Sequence, residues 1–193
     1  MTLAAVMTGV FITNMGVPMW LGVIGGVATG GIMGLINGLN IAFLKLPPFI
    51  ATLAMMMIAQ GLALVISGVR PIYFSTSAPN FKDIALGTLI PGLPNAVLIT
   101  GVLAIIAFFV LGKTLLGRYT FAIGSNEEAT RLSGVNTRRW LVLIYVFAGT
   151  FTGIAGVVMA SRLDSAQPQL GMGYELQAIA AVIIGDEYLR RTR

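Results

Sequence analysis

Residues 18–43 read PMWLGVIGGVATGGIMGLINGLNIAF and contain no charged side chain. A glycine stands at every fourth position of this stretch, at Gly22, Gly26, Gly30, Gly34 and Gly38. Because residues four apart lie on nearly the same face of an α-helix, these glycines predict one slightly winding stripe. Helices in lipid associate largely through close packing across small residues, so the stripe predicts a helix-packing face. Gly149 and Gly153 repeat the spacing once, later in the chain.

The composition of the whole chain is that of a membrane protein. Of its 193 residues, 56% are hydrophobic and only 10% are charged, whereas a soluble domain carries about 25% charged residues. A spanning helix needs roughly 20 apolar residues. The chain has four long stretches without a charge, at 1–44, 46–69, 84–112 and 140–161. A soluble fold is disfavoured because almost no sequence would remain for its polar surface.

We predict an all-α fold, a polytopic membrane helix bundle with about five spanning helices plus a partial or re-entrant sixth. The apolar segments lie at about 3–14, 18–43, 49–68, 94–112 and 140–160, and a shorter one covers 174–185. Pro47 and Pro48 predict the start of the third segment, because the first turn of a helix does not need amide donors.

Charge in the connections predicts the topology. The loop 113–139 carries five basic residues against Glu127 and Glu128, so the positive-inside rule makes it cytoplasmic. Alternation then places Lys45 inside and the loop 69–93 outside. That outer loop is predicted to hold a short interfacial helix around Phe81–Leu86, and either a contact with an external partner or a plain connection fits it.

The cytoplasmic loop also predicts a short helix. Ser125 followed by Glu128 has capping-box spacing, and Gly134 suits the helix end. A helix of two to three turns is not stable alone in water. It therefore needs a surface to bind, either a groove on another protein or lipid headgroups. Its small apolar anchors would be Ala129, Leu132 and Val135.

Several chemistries are disfavoured by the residue inventory. The chain has no Cys and no His, which removes thiol nucleophiles, imidazole bases and Cys/His zinc sites. Ser133, Asp164 and Glu175 are too scattered to suggest an enzyme site. The net charge of +5 comes from basic residues placed between apolar segments, so it predicts topology and no nucleic-acid partner.

A nucleotide-binding loop is also disfavoured. Gly112, Lys113 and Thr114 have the order found in such loops, but position 107 is Ala where the motif needs Gly.

Three blocks resemble the permease family of ribose-type ABC sugar importers, in the family's order and spacing. They begin at Leu46 (LPPFIATLA), Gly117 (GRYTFAIGSNEEATRLSGVN) and Ser161 (SRLDSAQPQLGMGYELQAIAAVIIG). The resemblance covers residues 1–185, which would form one partial permease domain. It implies a bacterial plasma (inner) membrane protein that imports a monosaccharide such as a ribose- or xylose-like pentose.

The family resemblance also implies partners. These are a second permease subunit in a homo- or heterodimer, a periplasmic or lipoprotein sugar-binding protein, and a cytosolic ABC ATPase that uses ATP, while this chain binds no cofactor and no metal. A coupling element to the ATPase would comprise Asn126, Glu127, Glu128, Ala129, Thr130, Arg131, Leu132, Ser133 and Gly134. Alternatives are a permease for another small solute, such as branched-chain amino acids, and an ion-coupled carrier.

The run after Ser161 is expected to interrupt the helical pattern. Gln167, Gly171 and Gly173 make a helix improbable before Tyr174, and ionisable groups flank the apolar sequence. A broken, partly re-entrant element bordering the sugar path fits, with Tyr174 and Glu175 also on that path. An ordinary external loop before a helix, with Glu175 in its first turn, fits equally well.

The two ends of the chain depart from the family pattern. The chain resembles a permease entered within an early spanning helix and lacking later ones. The tail 186–193 (DEYLRRTR) differs from the glycine-rich continuation of the family. A single-base insertion or deletion would account for this tail, and the product would then be an inactive fragment.

Overall fold

The computed structural model describes residues 1–75 and 78–191, with side chains as far as residue 185. Within this part a π-helical segment, Val10–Asn14, continues the first helix, and two short strands pair antiparallel with Ile72 opposite Ala166. The elements are α1 (Thr2–Gly9), α2 (Met19–Leu44), α3 (Pro48–Ser67), β1 (Ile72–Tyr73), α4 (Asp83–Leu86), α5 (Asn95–Lys113), α6 (Leu115–Ser125), α7 (Glu127–Leu132), α8 (Thr137–Leu163), β2 (Ser165–Ala166) and α9 (Tyr174–Arg191). The predicted all-α fold class is confirmed.

Four helices are long and apolar enough to cross a membrane, namely α2, α3, α5 and α8. Their bounds agree with the predicted segments, and α3 begins at Pro48 as predicted. The first predicted segment forms eight α-helical and five π-helical residues. This is fewer than the roughly 20 residues that a spanning helix needs. The apolar part of α9, Tyr174–Gly185, is short as well. Residues 186–191 continue α9, and the last two residues of the unusual tail lie outside the described part of the chain.

The surface of the bundle is apolar, as lipid contact requires. None of the residues of α5 is buried, although most of its side chains are hydrophobic. In water such a helix would expose a large apolar patch. In a bilayer the same side chains meet hydrocarbon, so only contacts between helices need close packing.

The glycine stripe of α2 contacts two helices in succession. All five glycines are buried. Four residues advance a helix by about 40° beyond a full turn, so the stripe winds gradually around α2. Gly22 and Gly26 face α1 and its π-helical continuation, at Ile12 and Thr8. Gly30, Gly34 and Gly38 face α8.

Helices α2 and α8 are antiparallel and touch backbone to backbone. A methyl group added at Gly30 would lie 2.5 Å from the carbonyl oxygen of Gly149 and 2.6 Å from Cα of Gly153. A methyl group added at Gly149 would in turn lie 2.5 Å from the carbonyl oxygen of Gly30. Such distances are shorter than any relaxed contact, so both helices require glycine here. No other pair of helices packs as extensively within the described chain.

The bundle has two distinct ends. At the first, which we call the basic end, α2 and α5 finish and α8 begins; its cations are Lys45, Lys113, Arg118, Arg131, Arg138 and Arg139. At the second, the opposite end, α8 finishes and the connections 14–18, 68–94 and 163–174 come together. Which end faces the cytoplasm remains the prediction of the positive-inside rule.

Aromatic packing and a buried hydroxyl hold the connections together at the opposite end. Phe74 and Phe81 stack with ring centroids 4.0 Å apart, and both side chains are fully buried. Ser161 of α8 donates a hydrogen bond to the carbonyl oxygen of Phe81 at 2.6 Å and accepts one from the Ala85 N–H at 3.0 Å. The predicted short helix is present as α4, and buried Phe81 just before it packs against protein.

Replacing Gly30 by Ala is expected to lower the free energy of unfolding by about 1–3 kcal/mol, because the new methyl group overpacks the α2–α8 contact. Thermal unfolding of the detergent-solubilised protein measures this. Gly61→Ala is the matched control, since a methyl group there has no atom within 4 Å. Equal stability of the two variants would contradict a close backbone contact at Gly30.

Ser161→Ala is expected to cost about 1–3 kcal/mol, because the Ala85 N–H and the Phe81 carbonyl would be buried without a partner. The control is Ser67→Ala, where the hydroxyl bonds only Leu64 of its own helix. Limited proteolysis of the connection 68–94 reports the change. Unaltered cleavage of the Ser161 variant would argue against a stabilising role of its hydrogen bonds to Phe81 and Ala85.

Candidate functional site

Helix α7, at the basic end, is a short helix stabilised at both termini. The side-chain oxygen of Asn126 accepts the Ala129 N–H at 2.9 Å, so Asn126 is the N-cap. The prediction that Ser125 caps this helix is wrong, because Ser125 is the last residue of α6. An extended Asn126 separates the two helices, with φ −158°. The helix has six residues and is shorter than predicted.

The end of α7 agrees with the expected role of Gly134. This residue has a φ of +84°, which favours glycine, and its N–H bonds the carbonyl of Arg131 at 3.0 Å. The Ser133 hydroxyl donates to the Ala129 carbonyl at 3.0 Å. Hydrogen bonds therefore stabilise both ends of this six-residue helix.

Most of the residues predicted to form a coupling element are exposed together. Thr130 is buried, whereas Glu127, Glu128, Ala129, Arg131 and Leu132 are exposed. Leu132 leaves 79% of its surface uncovered. Glu128 and Arg131 form an ion pair at 3.6 Å, and both are exposed, so the pair adds at most about 1 kcal/mol of stability. The exposed residues combine the apolar Ala129 and Leu132 with charges of both signs.

Helix α6 was missed by the sequence reasoning. Its apolar residues Leu116, Tyr119 and Ile123 have helical spacing, a signal that its two glycines obscured. Gly117 contacts the backbone of Leu111, where no side chain would fit, and this contact lets the start of α6 pack against the end of α5. Helix α6 directly precedes α7 in the chain and packs against it.

The first turn of α8 gathers the other elements of the basic end. The Trp140 ring lies against the Tyr119 ring of α6, with centroids 4.6 Å apart. The Arg138 guanidinium lies over the Phe43 ring at the end of α2, 5.8 Å from its centroid. Asn136 caps the helix by accepting the Arg139 N–H at 3.3 Å. The structure therefore connects α7 to the main helix pair through α6 and α8.

The residues predicted to border a solute path lie at the opposite end. They follow α8, whereas α7 precedes it, so 27 residues of helix, about 40 Å, separate the two groups. Gln167 and Tyr174 are exposed, and Glu175 is half-buried. Gly171 and Gly173 have φ of +79° and +84°. The structure does not bring the path residues together with the predicted coupling residues.

The segment 164–173 is irregular and packed against protein. It contains β2, Leu170 is 7% exposed, and the Thr2 hydroxyl donates to the Leu170 carbonyl. Helix α9 begins at Tyr174, as predicted, with Glu175 in its first turn. The segment thus has features of both expected forms, a non-helical chain buried in the bundle and an acidic first turn.

Two polar groups were not identified as site candidates from the sequence. Among the described residues, Asn37 Oδ1 in α2 and Asp164 Oδ1 at the end of α8 are buried without a hydrogen-bond donor. Asp164 has φ +50° and its carbonyl accepts the Phe74 N–H at 3.3 Å. Buried oxygens of this kind need a donor from water, a solute or another chain. In the described part of the chain, no three acidic side chains cluster as a metal site would require.

The fold and the match of the sequence to a known family together define the class of protein. Residues 1–187 match the family described as branched-chain amino acid transport system / permease component, and the chain belongs to this family. It is a multi-span membrane protein of the permease type.

Particular relatives are sugar permeases. The chain is 39% identical over 161 residues to the ribose import permease protein of Escherichia coli, covering 82% of this chain and 50% of the relative. It is 39% identical over 193 residues to the L-arabinose transport system permease protein of E. coli, covering 97% and 56%. The ribose import permease protein of Bacillus subtilis is 45% identical over 150 residues, covering 77% and 46%. The chain spans about half the length of these relatives. No solved structure matches it.

Asn126→Ala is expected to destabilise α7 by about 1 kcal/mol through loss of its cap, and so to speed local amide exchange about fivefold. Hydrogen–deuterium exchange of residues 127–134 measures this. Ser125→Ala is the matched control and should leave exchange unchanged. The reverse pattern would restore Ser125 as the cap.

Proposed function

We propose that this chain is the membrane-spanning permease part of an ATP-driven ABC importer for a monosaccharide, such as a ribose- or xylose-like pentose. The observation that carries the proposal is α7, a capped helix that exposes its charged and apolar face at the basic end of a membrane bundle. The ribose and arabinose permeases among the relatives support the sugar class. The bundle would lie in the bacterial plasma membrane with its basic end in the cytoplasm.

Energy would come from a separate cytosolic ATPase. The sequence around Gly112 lacks the first glycine of a phosphate-binding loop, and Lys113 is the last residue of the apolar helix α5. ATP is therefore assigned to the partner, and no cofactor or catalytic step is assigned to this chain. A second permease subunit and a sugar-binding protein at the opposite end complete the proposed importer.

The exposed face of α7 suits a groove on that ATPase. A six-residue helix does not persist alone in water, but its two capped ends hold it in place for binding. Leu132 would enter the groove as the apolar anchor, and Glu127, Glu128 and Arg131 would meet charges at the rim. In a lipid-surface helix, Leu132 would instead enter the acyl boundary.

A second candidate solute is a branched-chain amino acid. The description of the matching family favours it, whereas the named relatives favour a sugar. The two differ in charge and in hydroxyl content. Uptake by the permease assembled with its partners, measured with labelled D-ribose, L-arabinose and L-leucine in parallel, separates them.

The triple variant Glu127→Ala/Glu128→Ala/Arg131→Ala is expected to lose co-purification with the candidate ATPase of the same genome, by about tenfold or more. The loss would follow from removal of the charged rim, with membrane insertion intact. The control removes three exposed charges at the opposite end, in Arg70→Ala/Lys82→Ala/Arg162→Ala.

Equal capture by the triple variant and the native chain would move α7 to the lipid surface. Failure of the native chain to bind any ATPase would instead favour an ion-coupled carrier. Leu132→Ala tests the apolar anchor separately.

A further inference from the structure

Within the described part of the chain, helix α7 packs mainly against α6 and α8. Asn126 joins it to α6 without an intervening turn, and residues 133–136 join it to α8. Thr130 is buried, and its hydroxyl bonds the Asn126 carbonyl at 2.8 Å. The extended Asn126 and the positive φ of Gly134 give α7 a defined bend at each end. A partner that displaces α7 therefore displaces α6, the start of α8, or both.

The two neighbours of α7 pack against each other, and an aromatic pair lies in their contact. Tyr119 of α6 and Trp140 of α8 are each half-buried, and their ring planes incline by 47° at a centroid distance of 4.6 Å. This geometry is a close, tilted packing of two rigid groups. Rigid rings in contact transmit a displacement that flexible side chains would absorb.

Beyond Trp140, the path continues into the most tightly packed part of the molecule. Gly149 and Gly153 of α8 touch the backbone of α2 at Gly30, with no side chain between them. Arg138 over Phe43 joins the same two helices at the basic end. Close-packed interiors shift between discrete arrangements and compress little. Helices α2 and α8 are therefore expected to move as one body.

We propose that the Tyr119–Trp140 contact is the joint that transmits displacement of α7 to the α2–α8 pair, with Tyr119 as a positioning residue. This inference rests on the proposed function, because the displacement would come from the ATPase. It assigns a role to α6 that is separate from binding the ATPase, since Tyr119 lies outside the exposed face of α7.

The test uses the absence of cysteine from this chain. A single Leu163→Cys, at the far end of α8, gives this chain one cysteine as a reporter, and Leu163 is 43% exposed; labelling is followed on this chain after the subunits of the complex are separated. Thiol labelling is measured with and without a non-hydrolysable ATP analogue. In the reporter background, the analogue is expected to change the labelling rate by about fivefold or more.

In that background, Tyr119→Ala should still capture the ATPase, but the ATP analogue should no longer change the labelling rate of the Leu163→Cys reporter. Tyr119→Leu keeps apolar volume without the ring and should behave alike, which decides the matter if the alanine variant does not fold. Tyr119→Phe should restore the response. Phe121→Ala, on the same helix and 66% exposed in the native chain, is the matched control and should respond normally.

A full response in Tyr119→Ala or Tyr119→Leu overturns the joint. Loss of ATPase capture in both variants also overturns it, because Tyr119 would then merely support the binding surface. Absence of any response in the reporter background also overturns the joint, because displacement of α7 would then not reach the far end of α8. Co-purification of the native chain with the ATPase is measured first. If the native chain captures no ATPase, the proposed function itself fails.

Discussion

The backbone contact between the glycines of α2 and those of α8 is the constraint on which the rest of the structure depends. In hydrocarbon the hydrophobic effect does not draw apolar helices together, so close approach of backbones supplies much of the packing energy. The contact admits one antiparallel register, with Gly30 beside Gly153 and Gly34 beside Gly149. That register places Arg138 over Phe43 at one end of the pair. It also fixes where α8 delivers Ser161 at the other.

The two ends of this pair differ in kind. At the opposite end, irregular backbone is held by buried groups, with Ser161 bonding Phe81 and Ala85 and with β1 paired to β2. At the basic end, short helices are held by caps and aromatic contacts and leave charged side chains exposed. Under the proposed function, the first arrangement would face the sugar-binding protein and the second would face the ATPase.

Much of the fold could be predicted from the sequence. The apolar segments, the proline start of α3, the irregular run before Tyr174 and the glycine end of α7 all follow from local chemistry. Membrane helices are the easiest elements to locate, because lipid requires every backbone polar group to be satisfied within the segment. The cap of α7 was assigned one residue too early, since Ser125 and Asn126 are both good caps and only the bend between α6 and α7 chooses between them.

The sequence alone determined that the chain crosses a membrane, that α2 carries a packing face, and that a short helix lies in the loop 113–139, because these depend on composition and on spacing within one segment. Only the tertiary structure decided which helices the stripe touches, that Ser161 joins α8 to the connection before α5, and that Tyr119 meets Trp140. These contacts join residues distant in the chain. Their pairing depends on the register of α2 against α8 and on the break between α5 and α6 at Thr114, and neither is specified by the pattern of a single segment.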